Sequence, residues 1–152
     1  MVSFDYSSQA EALRAISHTP LFSGVGLPEQ HMLADKCTII DRPAEEIIIE
    51  QGDVGDRLYV IIKGIVVVSR KTPSEGYQRI NTLTDGDVFG EIAVLHKVLR
   101  TARITTKTKC RFLTINGDDF IHIYEHFPAQ SRDNIQLVIA KRLAQLNDTP
   151  WE

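Results

Sequence analysis

The segment richest in chemistry runs Asp85-Gly86-Asp87-Val88-Phe89-Gly90-Glu91-Ile92-Ala93-Val94-Leu95 and is followed, after a short spacer, by Arg100-Thr101-Ala102. Gly90 has no side chain, so a ligand can come close to its backbone, and the N–H groups that open a helical turn after it have no partner inside that turn. Such groups point at an anion. Arg100 adds a full positive charge, and each hydrogen bond from a guanidinium to a phosphate contributes about 1.5–3 kcal/mol. Thr101 offers a hydroxyl donor beside it. Glu91 repels a phosphate, but as an acceptor it suits a sugar hydroxyl. Phosphate and sugar together describe a nucleotide. For an arbitrary Glu and Arg, a salt bridge closing a surface turn is the competing reading.

The net charge of −3 gives the 152-residue chain no global attraction to nucleic acid or anionic membrane, so an anion site must be local. Ile92 to Gly117 is such a region: it holds no acid, while Lys97, Arg100, Arg103, Lys107, Lys109 and Arg111 all lie within it. A solvated strand face with chance clustering produces the same run. At 43% hydrophobic and 24% charged residues the composition is that of a globular protein rather than a disordered one, and the length suits one domain. Met1 to Ser8 includes Asp5 and no basic lead into an apolar run, unlike a secretory signal. Apolar stretches such as Ile65 to Val68 fall far short of the ~20 residues that span a bilayer. Cys37 and Cys110 lack CxxC spacing and fit reduced, buried thiols. A cytoplasmic protein without membrane contact is expected.

The elements that must position these residues follow from periodicity. Ala10, Leu13 and Ile16 recur at helical spacing, and Pro28-Glu29 suits the first turn of a second helix. Between them Pro20 to Gly26 forms a loop whose Leu21 and Phe22 dock on the core. Strands are expected at 37–40, 46–49, 58–62, 65–69, 78–83, 102–106 and 111–115, divided by turn signals such as Gly52-Asp53, Lys63-Gly64 and Asp85-Gly86-Asp87. Their spacing argues for a sandwich or jelly roll. Asn116 or Asp118 can then cap a helix carrying Phe120, Ile123, Tyr124 and Phe127, and a final helix displays Ile135, Val138, Ile139, Leu143 and Leu146 on an apolar face. Arg132, Lys141 and Arg142 remain available to solvent or ligand.

Phe89 to Ala102 resembles the phosphate-binding cassette of the cyclic nucleotide-binding domain family, which usually reads Phe-Gly-Glu, two or three apolar residues around an Ala, a spacer, then Arg, a small residue and Ala. Pro20-Leu21-Phe22, Gly52 to Tyr59, Lys63 to Val67 and Asp85 to Phe89 look like further landmarks of that family in the usual order, so the resemblance covers roughly residues 12 to 146. Similar domains regulate cyclic nucleotide-gated channels, cyclic nucleotide-dependent kinases and bacterial cyclic AMP receptor proteins. The resemblance implies an α+β, mainly β fold, a β-roll or double-stranded jelly roll flanked by N-terminal helices and two C-terminal helices. One domain over 1–152 is expected, with helices over 8–36, the β-roll over 37–116 and its cassette at 89–102, and C-terminal helices over 117–147.

The same resemblance implies that Phe89, Gly90, Glu91, Ile92, Ala93, Arg100, Thr101 and Ala102 surround the ribose and cyclic phosphate, the backbone N–H groups of Ile92 and Ala93 among the donors. Val68 and Ile80 or Asn81 are candidates for one side of the base, and Val138, Ile139, Arg142 and Leu146 of the last helix for the other; ordinary core or surface roles compete for each. Thr101 resembles members that accept cyclic GMP through a hydroxyl bridging phosphate and guanine, although members responding to cyclic AMP carry it too. Two positions depart from the pattern. Leu99 stands where a Pro or polar residue is common, and Arg103, where a small hydroxyl residue is common, either strengthens phosphate attraction or fills the pocket.

The resemblance implies cyclic AMP or cyclic GMP as the ligand, and binding without cofactor or catalysis is expected, since no nucleophile with an activating base lies beside the site. Its output passes to a protein effector or a fused one. Direct DNA binding is not expected, because the residues after Leu146 are too few for a helix-turn-helix. Cyclic di-GMP is an alternative ligand if Arg103 faces the pocket, and a degenerate, non-binding protein-interaction domain is another reading. His122-Ile123-Tyr124-Glu125-His126 matches the His-x-x-Glu-His pattern of one zinc metallopeptidase group, against which no third ligand is evident.

Overall fold

Leu58 to Ile62 is an unbroken apolar run, and such a strand must be buried on both faces. The computed structural model describes residues 6–22 and 24–147, and it shows how this is achieved. α1 (Tyr6–His18), a 3-10 turn (Pro20–Phe22) and α2 (Leu27–Lys36) precede eight strands. These are β1 (Thr38–Arg42), β2 (Ile47–Ile49), β3 (Arg57–Lys63), β4 (Val66–Thr72), β5 (Gly76–Leu83), β6 (Val88–Phe89), β7 (Arg103–Thr106) and β8 (Cys110–Asn116). The short helix α3 (Glu91–His96) interrupts them, and α4 (Gly117–Tyr124) and α5 (Ala129–Asn147) follow. The strands form two four-stranded sheets, ordered β1-β8-β3-β6 and β2-β7-β4-β5, with every recorded pairing antiparallel. The fold is a mainly β jelly roll with flanking helices.

The first sheet divides the core. Leu58, Val60, Leu113 and Ile115 pack against the helices with Ile16, Phe22, Leu33, Phe120, Ile135 and Ile139. Tyr59, Ile61 and Phe112, offset by one residue, face the second sheet with Ile49, Val66, Phe89, Ile104 and Cys110. Alternation along one strand thus supplies two cores. Leu21 and Phe22 are buried, and the Phe22 ring lies 6.0 Å from that of Phe120. Pro28 occupies the first turn of α2. Both thiols are free; Cys110 is buried and Cys37 half-buried, with burial pushing its thiol up to about 12.

The structure extends or adds to the expected strands at β4, β5 and β6, and it decides the cap of α4. β4 and β5 extend to Thr72 and from Gly76, because the Glu75 N–H donates to Thr72 Oγ1 at 2.9 Å and closes a tight turn. β6 is a strand of two residues, too short for a periodic signal. Of the two candidate caps for α4, Asn116 serves: its Oδ1 accepts from the N–H groups of Asp118 and Asp119. The side chain of Leu146 and the residues after Asn147 lie outside the described residues.

A charged cluster pins α1 to the first sheet. Arg111 on β8 donates from Nε and Nη2 to Glu11 of α1 at 2.7 and 2.9 Å, and from Nη1 to Asp41 of β1. The hydrogen bonds from Arg111 hold the Glu11 carboxyl below the usual carboxylate range, with its positive charge adding to them. A carboxyl depressed in the folded state adds stability above its unfolded pKa and loses it as pH falls through the folded one. Wild type should therefore lose more stability than Glu11→Gln between neutral pH and about pH 3, below the ordinary carboxylate pKa. Urea unfolding at the two pH values checks this, and equal losses in the two proteins would contradict it.

Candidate functional site

The stretch from Phe89 to Ala102 is fixed at both ends before any side chain reaches a ligand. At its start β6 pairs with β3, and the Phe89 ring stacks on Tyr59 at 4.9 Å and meets the edge of Phe112 at 5.5 Å. At its end an isolated bridge joins Val54 to Leu99, with the Arg100 N–H donating to Asp53 O at 2.8 Å and the Gly52 N–H donating to Arg100 O at 2.9 Å. Gly90 lies between them at φ +86°, a left-handed conformation that turns β6 directly into α3. No side chain caps that turn. The first N–H groups of α3, those of Glu91, Ile92 and Ala93, consequently have no partner within the helix or from its cap residue.

Arg100 is 7% exposed, and its guanidinium is held by backbone carbonyls. Nη1 donates to Gly90 O at 3.0 Å and Nη2 to Arg57 O at 2.8 Å. Among the described residues no ion pair joins it to a carboxylate. A salt bridge between Glu91 and Arg100 is thus not what closes this turn. Burial holds the guanidinium below its ordinary range, while the nearby Tyr59, Asp56, Glu91 and Asp53 act in the opposite direction. Two glycines make this seat possible. A Cβ at Gly90 would lie 2.9 Å from Arg100 Nη1, and one at Gly55 would lie 2.4 Å from Ala93 Cβ and 3.0 Å from Arg100 Cζ.

Glu91 is 1% exposed and belongs to a different pair. Arg142, on α5, donates from Nη1 to Glu91 Oε1 and to Val88 O. Further along, His96 at the end of α3 and Gln136 of α5 are 2.9 Å apart, and Gln136 Nε2 donates to Tyr124 OH at 3.0 Å. The last helix therefore lies against the cassette through polar contacts at two levels. Arg142, available to solvent or ligand by its place on the helix, is engaged by Glu91 and the Val88 carbonyl.

The other candidates divide. Ala102, Ile92 and Ala93 are buried and Thr101 is half-buried beside Arg100. Val68 on β4 and Ile80 on β5 are half-buried, whereas Asn81 is exposed and its Oδ1 accepts from the Thr82 N–H. Ile139 is fully buried among the helices, and Val138 packs against that cluster. Arg103 does not stand free in a pocket: it makes two hydrogen bonds to Glu50, at 2.8 and 2.9 Å, and lies 3.5 Å over the Tyr77 ring, whose hydroxyl also donates to Glu50. His122 and His126 are exposed on α4 and just after it, their rings 5.3 Å apart, and among the described residues no third His, Cys, Asp or Glu completes a metal cluster. Gly55 and the Arg57 carbonyl are parts of the site that residue chemistry alone missed; the Gly52 to Tyr59 landmark was their signal, but only the fold brings it against Arg100.

A family model for the cyclic nucleotide-binding domain matches residues 40–127, more than half of the chain. The chain belongs to the cyclic nucleotide-binding domain family. It is 30% identical over 105 residues to a cAMP-dependent protein kinase regulatory subunit of Schizosaccharomyces pombe, covering 69% of this chain and 24% of that protein. It is 27% identical over 133 residues to a CRP-like cAMP-activated global transcriptional regulator of Mycobacterium tuberculosis, covering 88% and 59%. The cyclic nucleotide-binding domain described here therefore spans only part of each relative's length. In fold it resembles the regulatory domain of Toxoplasma gondii PKA crystallised with cAMP, at a TM-score of 0.79 and 18% identity over 91% of this chain and 51% of that one. Among the described residues no helix is long and apolar enough to cross a membrane.

Because the Gly55 backbone packs on both α3 and Arg100, Gly55→Ala should push the guanidinium from its carbonyls. Nucleotide affinity is expected to fall by at least about tenfold, equivalent to ~1.4 kcal/mol, while the circular dichroism spectrum stays that of a folded β protein. Calorimetric titration of the variant tests this; an undiminished affinity would show that Gly55 does not position Arg100.

Proposed function

We propose that this domain is a non-catalytic sensor that binds cyclic AMP, accepts cyclic GMP, and signals by movement of α5 to a partner or fused effector. The observation that carries the reading is Arg100: a nearly buried guanidinium, aimed by two carbonyls and paired with no carboxylate among the described residues, beside a helix start whose cap residue makes no side-chain hydrogen bond. A buried cation of this kind is incomplete without an anion. Phosphate supplies it, with the Ile92 and Ala93 N–H groups and Thr101 as further donors and Glu91 as acceptor for the sugar. The half-buried Val68 and Ile80 would flank the base. Cyclic AMP is favoured because the kinase subunits and the transcriptional regulator that the chain resembles carry cAMP in their names. The engagement of Arg103 by Glu50 speaks against the larger cyclic di-GMP.

Signalling through α5 is supported by the same contacts. Arg142 and Gln136 tie the helix to both ends of α3, so a ligand touching Glu91 also touches what holds α5. A ligand shifts such an equilibrium only by its differential affinity for the two helix positions. Hydrogen exchange across Ile135 to Leu143 should accordingly change when cyclic AMP is added, whereas exchange unaltered at saturating ligand would remove α5 from the output.

Arg100→Ala should weaken cyclic AMP binding by about 2–5 kcal/mol, hundreds-fold at the middle of that range, as for other truncated buried charge pairs. Calorimetry giving only a twofold change, within about 0.5 kcal/mol, would falsify the assignment. Thr101→Ala should cost cyclic GMP about 0.5–1.5 kcal/mol more than it costs cyclic AMP, the value of one hydrogen bond. Equal losses for the two ligands would rule out a bridge from Thr101 to guanine.

A further inference from the structure

Glu91 is the most enclosed carboxylate among the buried charged residues described, and a buried carboxylate needs a partner that holds it. Its ion-pair partner is Arg142, which arrives from α5, far away in sequence. The arginine does more than neutralise charge. Its Nη1 is shared between Glu91 Oε1 and the carbonyl of Val88, at 2.5 Å from the latter, so the guanidinium is seated on the backbone of β6 as well as on the carboxylate. One carboxylate oxygen is thereby committed, and the group's rotation is restrained. An ionised carboxylate accepts several hydrogen bonds, which leaves Oε2 able to receive another donor from a fixed direction.

In a 3′,5′-cyclic nucleotide both of those sugar oxygens are esterified, so the 2′-hydroxyl is the one donor the ribose can offer. We propose that Arg142 is a positioning residue that gives this domain its preference for ribose over 2′-deoxyribose, by holding Oε1 of Glu91 so that Oε2 meets the 2′-hydroxyl. This rests on the reading of Glu91 as the sugar acceptor. A hydrogen bond to a charged acceptor depends steeply on direction, and a restrained acceptor discriminates against the ligand that lacks the donor. Without Arg142 the carboxylate can rotate, and the difference between the two sugars shrinks. Because Arg142 sits on α5, the sugar preference also becomes a property of the docked helix rather than of the cassette alone.

The test titrates the full chain with cyclic AMP and with 2′-deoxy cyclic AMP and reads the ratio of the two affinities. Wild type should favour the ribonucleotide by about tenfold or more, the value of a hydrogen bond to a charged group. In Arg142→Met, which keeps side-chain length without charge, the ratio should fall below about threefold, and Arg142→Lys should restore part of it. If the methionine variant loses both ligands equally and keeps the wild-type ratio, Arg142 serves only to pack α5 and the proposal is overturned. A wild type that binds cyclic AMP but does not distinguish the two sugars would remove the role of Glu91 itself, and this proposal with it. Should Arg142→Met fail to fold, Arg142→Lys decides alone. A single ammonium cannot reproduce the planar geometry of the guanidinium, so its ratio should drop by about twofold from wild type, and an unchanged ratio overturns the proposal.

Discussion

The site depends on one constraint: a buried guanidinium that makes no ion pair among the described residues must be held by groups that aim it but do not neutralise it. The carbonyls of Gly90 and Arg57 do this for Arg100. Each satisfies a donor, so the cost of burial is reduced, and neither carries a negative charge that would compete with a phosphate. Had Glu91 paired with Arg100, the two would have cancelled and left a structural salt bridge. The fold prevents this by giving Glu91 a separate cation from α5. Two opposite charges thus lie near one another in the cassette without forming a pair.

Much of the remaining architecture serves to keep that arrangement in place. The ring of Phe89 is locked between Tyr59 and Phe112 at the start of the cassette, and the Val54 to Leu99 bridge locks its end. β3 links both, since its first residue supplies the Arg57 carbonyl and its third the Tyr59 ring. β3 contributes to the cores on both of its faces, a sound foundation for the geometry of the cassette. α5, in contrast, meets the cassette through the side chains of Arg142 and Gln136 rather than through backbone pairing.

The strands and the cassette were legible because their signals are local. Alternation and turn residues disclosed the strands, and the type and spacing of Gly90, Glu91 and Arg100 mark out the cassette that the fold draws together. What the chain order concealed was pairing across distance. From the sequence Arg142 is available to solvent or to the base of a ligand, and only the docking of α5 brings it to Glu91. Arg103 offered two opposed readings from sequence, and the packing of Glu50 and Tyr77 around it decides where the side chain goes. Gly55 has no chemistry of its own, so its role emerges only when Ala93 and Arg100 press against it. β6 was missed because two residues carry no period.

The central claim is that the open guanidinium of Arg100 and the uncapped N–H groups of α3 together form the phosphate site. A titration of isotopically labelled protein with cyclic AMP, followed by proton–nitrogen correlation spectra, observes these groups directly. The Arg100 side-chain Nε–H signal and the amides of Glu91, Ile92 and Ala93 should shift together and saturate at one ligand concentration, while those of His122 and His126 stay in place. Saturable binding that leaves the Arg100 and α3 signals unmoved would contradict the account, because the nucleotide would then occupy some other surface of the domain.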